Sequence, residues 1–230
     1  MNVPLAEHFH SVQGEGHWAG TPMHFFRFPG CNVGRNVLAA PVLFNIVPEE
    51  ERRLRPFPEA KQCTAWNGTR FWCDTDYAQH LEEPSEKLIG ETYELHACFT
   101  GGEPLIHQRK VWFKELLDGL RRKNVWVHVE TSGTVPFHCE FDWVTVSPKL
   151  AYDSRPLQLA DQVKLLVDEN FVLEEAEALL KLVPDAFVFL SPIFDPNSLV
   201  KKNVEKCFEA LRVHPEWRLS VQWHKWLGVR

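Results

Sequence analysis

No stretch of this chain is apolar for long enough to cross a bilayer; its purely apolar runs last only a few residues. Basic charge is also in short supply. Lys and Arg total 25 against 31 Asp and Glu, a net charge of −6, which argues against a nucleic-acid partner held on a broad basic face. The clusters Arg52-Arg53 and Arg121-Arg122-Lys123 are short and read as solvated faces. Met1 to Phe9 lack the basic start and apolar middle of a signal peptide, so a cytoplasmic location with no membrane association is expected. There is no internal repeat and no low-complexity tract. What remains is 230 residues, 44% hydrophobic, enough for a single domain with its own core and no need of disulfide staples.

Six cysteines in a reducing compartment are packed thiols or ligands rather than disulfides. Cys207 falls in an apolar stripe with Val200, Val204, Phe208 and Leu211, and Cys98 lies in a strand-like run, so both read as core. Cys139 stands beside His138, a weak metal signal that stays open. Cys31, Cys63 and Cys73 are left, all in the first third.

Strand-like runs are expected at 23–28, 95–99, 125–130, 143–147, 162–167, 187–190 and 217–221. Helical spacing joins Trp112, Leu116 and Leu120, then Leu173, Ala176, Leu180 and Val183, and then the stripe around Cys207. Strands alternating with helices predict an α/β protein with a mainly parallel sheet. Residues 34–60 carry four prolines and dense charge without a period, and read as an insertion beside whatever the three cysteines bind.

Parallel α/β folds gather chemistry at the C-terminal ends of their strands. Those ends here read Gly30-Cys31, Thr100-Gly101-Gly102-Glu103-Pro104, Glu130-Thr131-Ser132-Gly133-Thr134, Ser147-Pro148-Lys149, Ser191-Pro192 and Gln222-Trp223-His224-Lys225. The paired glycines let backbone approach a ligand. Glu103 has no evident partner nearby in sequence, so a ligand ammonium or hydroxyl is expected to pair with it. Three thiolates are one short of a closed structural zinc site. They suit a cubane iron–sulfur cluster with one iron left open.

The motifs SVQGEG (11–16), FRFPGCN (26–32), CDTDY (73–77), TGGEP (100–104), ETSGT (130–134), SPK (147–149) and HPEWRLSVQWHKWLG (214–228) occur in this order. Together they resemble the 7-carboxy-7-deazaguanine synthases, a branch of the radical S-adenosylmethionine enzymes; TGGEP alone marks only the wider superfamily. The resemblance runs from Glu7 to the C-terminus. It implies a partial, open TIM-like barrel with a cluster-loop insertion, a [4Fe–4S] cluster, S-adenosylmethionine, Mg²⁺, and usually a homodimer served by an external electron donor such as flavodoxin.

The departure lies in the cysteines. The superfamily pattern is CxxxCxxC, whereas here 31 residues separate Cys31 from Cys63 and nine separate Cys63 from Cys73. Either Cys63 folds back as the second ligand or the cluster is lost. The first is favoured because Trp72 and the CDT that follows keep the surround of the last ligand; Cys98 ranks below Cys63 as a substitute.

By the same resemblance, Gly102, Glu103, Trp72, Ser132, Ser147, Pro148, Lys149 and Pro192 hold the cofactor, although Ser191 stands where the family has Gln. The substrate, 6-carboxy-5,6,7,8-tetrahydropterin, would meet Val12, Gln13, Gly14, Glu15, Arg27, Thr100, His224 and the terminal carboxylate of Arg230. Arg27 offers a bidentate fork to its carboxylate. Thr75 would take Mg²⁺, with Asp74 and Asp76 behind it or capping a helix. The implied reaction is ring contraction with loss of ammonia, a step toward queuosine-type deazapurines. Two other readings stand beside it: a glycyl-radical-enzyme activase, which needs neither SVQGEG nor Arg27, and a non-catalytic metal-stabilised binding protein.

Overall fold

The computed structural model describes residues 1–33, 62–73, 75, 78–149, 152–195 and 198–228. The 34–60 insertion expected from the sequence lies outside them, as do Asp74, Asp76 and Arg230.

The elements follow in chain order. Strands β1 (Asn2–Leu5), β2 (Glu7–Val12), β3 (Pro22–Phe28), β4 (Gln62–Thr64), β5 (Arg70–Trp72) and β6 (Leu81–Pro84) precede helix α1 (Ser85–Glu91). Then come β7 (His96–Gly101), a 3₁₀ turn (Pro104–His107), α2 (Val111–Arg122), β8 (Trp126–Thr131), β9 (Trp143–Val146), α3 (Ser154–Gln158) and β10 (Gln162–Val167). The chain continues through α4 (Leu173–Leu180), β11 (Phe187–Pro192), β12 (Phe194–Asp195), β13 (Ser198–Leu199), α5 (Lys201–Val213), β14 (Arg218–Leu219) and α6 (Trp223–Leu227).

Eight strands form one sheet in the spatial order β2-β3-β7-β8-β9-β10-β11-β14. β2 pairs antiparallel with β3. Every later neighbouring pair is parallel. Each parallel step moves one place along the sheet, so the C-termini of the seven parallel strands come out at one end, while that of β2 lies beside the start of β3.

Side chains alternate across the sheet. On the helix-covered face Phe26, Phe28, Phe99, Val127, Val129, Val163 and Leu165 are fully buried, in one core cluster with Phe113, Leu116 and Leu120 of α2. Each such side chain contributes about 1.5–3 kcal/mol through burial. Arg121 and Arg122 sit in the last turn of α2, where the helix dipole favours positive charge. Lys123, read from sequence as part of a solvated basic run, instead donates to the carbonyls of Ile89 and Thr92 at 2.7 and 2.6 Å, satisfying the end of α1.

Three expectations need correction. Phe208 lies on the solvent side of α5; the buried face is Asn203, Cys207 and Ala210, because the helix turns Phe208 about 100° away from Cys207. The strand expected at 217–221 shrinks to Arg218–Leu219, since only Arg218 and Leu219 pair with β11. The antiparallel pair β1–β6 went unforeseen: it joins Leu5 to Leu81 through backbone that carries little strand signature.

Candidate active site

Cys31 leaves β3 through Gly30, whose φ of +79° only glycine adopts without strain. The turn is braced from β7: Gly102 N–H donates to Phe28 O at 3.2 Å, and Glu103 N–H donates to Gly30 O at 3.0 Å. A Cβ on Gly102 would fall 1.8 Å from Gly30 O, so no other residue fits there.

The hairpin β4–β5 explains how the wide cysteine spacing closes. Cys63 pairs with Phe71 in register, and Cys73 follows directly after β5, so the turn folds the two thiols back toward each other. The hairpin is docked by a bridge between Ala65 and Lys149, by Thr69 Oγ1 donating to Asp168 at 3.1 Å, and by Trp66 meeting Phe171 edge-on. The Cys63 thiol is pushed far above its usual range, first by its hydrogen bond with Cys73, then by burial, then by the charges of Cys73 and Cys31. Three crowded thiols cannot all ionise unless a cationic group joins them, and a metal cluster is the chemistry such a donor set fits.

One cavity of about 270 Å³ opens at the strand C-termini, and Cys31, Cys63 and Cys73 line it together with Thr75. Gln13, Gly14, Glu15 and Arg27 line it from the β2–β3 side. So do Val12, Thr100, Gly102, Ser132, Ser147, Lys149, Pro192 and His224. Ser191 also faces it, with its hydroxyl donating to Ser220 O at 3.2 Å.

Four predicted residues stand apart. Pro148 is buried beside the cavity rather than on its wall. Trp72 closes β5, but its side chain lies outside the described ones, as does all of Arg230. Glu103 is the main revision. It is fully buried, and its carboxylate accepts from Leu105 N–H at 3.1 Å, Thr131 Oγ1 at 2.8 Å, Ser132 N–H at 2.8 Å and Ser132 Oγ. The partner expected from a ligand is supplied by the protein, and Glu103 latches the loop after β7 to the loop after β8. Burial raises its pKa despite those donors.

The cations of the cavity are placed differently from one another. Arg27 Nη1 donates to Glu7 Oε1 at 2.6 Å, and its guanidinium lies 5.2 Å from the Phe9 ring centre. Lys149 donates to Ser147 O and Oγ, both at 2.9 Å; burial lowers its pKa to about 8 while the thiol of Cys63 pulls the other way. Lys164 of β10, which the sequence reading passed over, makes an ion pair with Glu15. Gln222 Nε2 adds a 2.6 Å hydrogen bond to the same carboxylate. Burial would raise the pKa of Glu15, but the Lys164 charge and these hydrogen bonds outweigh it, and the net shift is downward. Glu130, placed at a strand end by the sequence but given no role there, accepts from Gln13 Nε2 at 3.0 Å. One signal was present: in QVKLLV, Lys164 is the only charge in a strand otherwise built to be buried on both faces.

Cys98 is fully buried with Met23 and Phe25, as expected of a core thiol. Cys139 donates to Gln108 O at 3.5 Å while His138 bonds Arg109, so the two share no ligand direction.

A parallel α/β sheet whose strand ends gather three thiols, a glycine-opened loop and a polar cavity defines an enzyme of the radical S-adenosylmethionine class. No family model matches the chain. It is 31% identical over 241 residues to the 7-carboxy-7-deazaguanine synthase of Synechocystis sp., covering 100% of this chain and 95% of that protein. It is 30% identical over 241 residues to the enzyme of the same name from Escherichia coli K12, covering 100% of both. Among solved structures, the crystal structure of QueE from Escherichia coli superposes with a TM-score of 0.65 at 28% identity, covering 97% of this chain and 95% of the other. The chain belongs to the 7-carboxy-7-deazaguanine synthase family, and its activity is the radical step of 7-deazapurine biosynthesis. These similarities favour the synthase over the activase and the binding-protein readings.

Proposed function

We propose that the chain converts 6-carboxy-5,6,7,8-tetrahydropterin to 7-carboxy-7-deazaguanine with loss of ammonia. The observation that carries this reading is the meeting of Cys31, Cys63 and Cys73 with Gln13, Gly14, Glu15 and Arg27 around one cavity. In this reading the sheet is the partial, open barrel of the superfamily.

The three thiolates would hold a [4Fe–4S] cluster, with the remaining iron open to S-adenosylmethionine; bound together, these supply one-electron radical chemistry that begins with hydrogen abstraction. The chain's own residues position the reactants. Gly102 presents bare backbone toward the cofactor, with Ser132, Ser147, Lys149 and Pro192 along the wall. Arg27 holds the substrate carboxylate by its fork, exchanging or sharing it with Glu7. Gln13 and Glu15 read the donor and acceptor edge of the pterin, and Gly14 lets the ring lie close to His224. Lys164 and Gln222 keep Glu15 an anionic acceptor at neutral pH. Val12 and Thr100 complete the wall.

Thr75 would bind Mg²⁺, which orients the substrate and stabilises oxygens that gain negative character. The reading extends to a homodimer, to an external donor such as flavodoxin, and to a cytoplasmic setting; no helix among the described residues is long and apolar enough to cross a membrane. Anaerobic incubation of reconstituted protein with S-adenosylmethionine, reductant and the pterin tests it. Formation of the deazaguanine acid together with ammonia is expected. Cofactor cleavage that ignores the pterin would contradict it.

A further inference from the structure

Phe9, Phe25 and Arg27 point from β2 and β3 into the cavity, so by strand alternation His8, His10 and His24 occupy the opposite face. The register sets His10 directly across from His24, and their rings stack at 4.0 Å. Glu94, just before β7, brings Oε1 to 2.6 Å from His10 Nδ1.

The hydrogen bonds fix the state of His24. Thr92 Oγ1 donates to Leu88 O at 2.9 Å, so it accepts from His24 Nδ1–H at 2.7 Å. That leaves Nε2 with a lone pair, which His8 Nδ1 faces at 3.0 Å. The Glu94 side chain is only 5% exposed, and its Oε2 is buried with no hydrogen-bond partner among the described residues. An unmet buried acceptor of this kind costs about 1–3 kcal/mol, more when charged. A ligand atom from each of His10, His24 and Glu94 lies within 4.8 Å of the other two. Two ligands on a tetrahedral zinc ion stand about 3.3 Å apart, within reach of small side-chain rotations.

We propose that His10, His24 and Glu94 form a second metal site, for a dication of the zinc type, on the face of the sheet turned away from the catalytic cavity. Two imidazoles and a carboxylate suit such an ion and leave the fourth position to water or to His8. Bound metal gives Glu94 Oε2 the partner it lacks. Thr92 acts as the outer support that sets the His24 tautomer. His10 is exposed, which gives the ion its access path. The ion would tie β2 and β3 to the start of β7, bracing from outside the strands that lead to Gln13–Glu15 and carry Arg27.

The test uses the cluster-loaded protein, titrated anaerobically with Zn²⁺ by calorimetry, with zinc X-ray absorption on the product. Wild type is expected to take one Zn²⁺ per chain beyond the cluster, with a nitrogen and oxygen shell near about 2.0 Å. Affinity should fall about tenfold or more in His10→Ala and in Glu94→Gln, with iron content unchanged. His10 is at the surface, so its variant separates ligand loss from misfolding. No stoichiometric uptake by wild type, variants that bind as tightly as wild type, or a sulfur shell around zinc would overturn the assignment.

Discussion

Lys164 reaches from β10 to Glu15 in the turn after β2, an ion pair whose side chains are 13% and 10% exposed. Removing one member leaves the other charged and poorly solvated, which costs about 3–5 kcal/mol for a buried pair. Lys164→Met should therefore lower the urea midpoint sharply, and Lys164→Met with Glu15→Gln should recover part of the loss. If the two variants are equally destabilised, the pair is not what holds this turn.

Gly102 and Gly14 both lie against neighbours, yet substitution should affect them differently. A Cβ at Gly102 meets backbone, Gly30 O at 1.8 Å, which cannot move without displacing Cys31. A Cβ at Gly14 meets the His224 side chain, with Nδ1 at 2.1 Å and Cβ at 3.1 Å, so the ring must turn away and the Cβ give slightly, rather than backbone being struck head-on. Gly102→Ala is expected to cost about 1–3 kcal/mol or more by overpacking and to lower iron content. Gly14→Ala should fold nearly as wild type and raise KM for the pterin. Melting curves and iron analysis check the first half, steady-state kinetics the second.

Stability should also report on a buried histidine. His128 has its pKa pushed down from 6.5 to about 3, by burial first and then by the neighbouring charge of His96. The His96 ring is close, with its Nδ1 at 2.9 Å from His128 Nε2. Below 6.5 the unfolded chain takes up a proton that the folded chain refuses. The contribution is thus present above 6.5 and is lost as pH falls toward about 3. His128→Gln should flatten the acid limb by about 1.4 kcal/mol per pH unit, the slope for one proton. Denaturation midpoints across that window decide it, and an unchanged slope would count against the buried neutral ring.

Much of this architecture could be read from the chain. The parallel strands β3 and β7 to β11 announce themselves through β-branched and aromatic residues such as Val163 and Phe189, because burial on both faces demands them. Helix α4 follows its Leu173, Ala176, Leu180 spacing for the same reason. β2 stayed hidden because EHFHSV alternates polar histidines with one phenylalanine, and those histidines meet partners rather than core. Lys164 was passed over since its partner lies 149 positions away, and no local pattern encodes a pairing that only the sheet creates. Glu103 misled for a related reason: its donors Thr131 and Ser132 come from the next strand end. The β4–β5 hairpin carries Cys63 back toward Cys73, a register that sequence periodicity did not reveal.

Cys63, far from its usual place in the chain, is proposed to complete the cluster-binding trio with Cys31 and Cys73. Iron and sulfide counting on anaerobically reconstituted wild type beside Cys63→Ala tests this most directly. A full [4Fe–4S] complement in wild type and its loss in the variant is the predicted result. A variant that keeps the whole complement would contradict the account and move the third thiolate elsewhere.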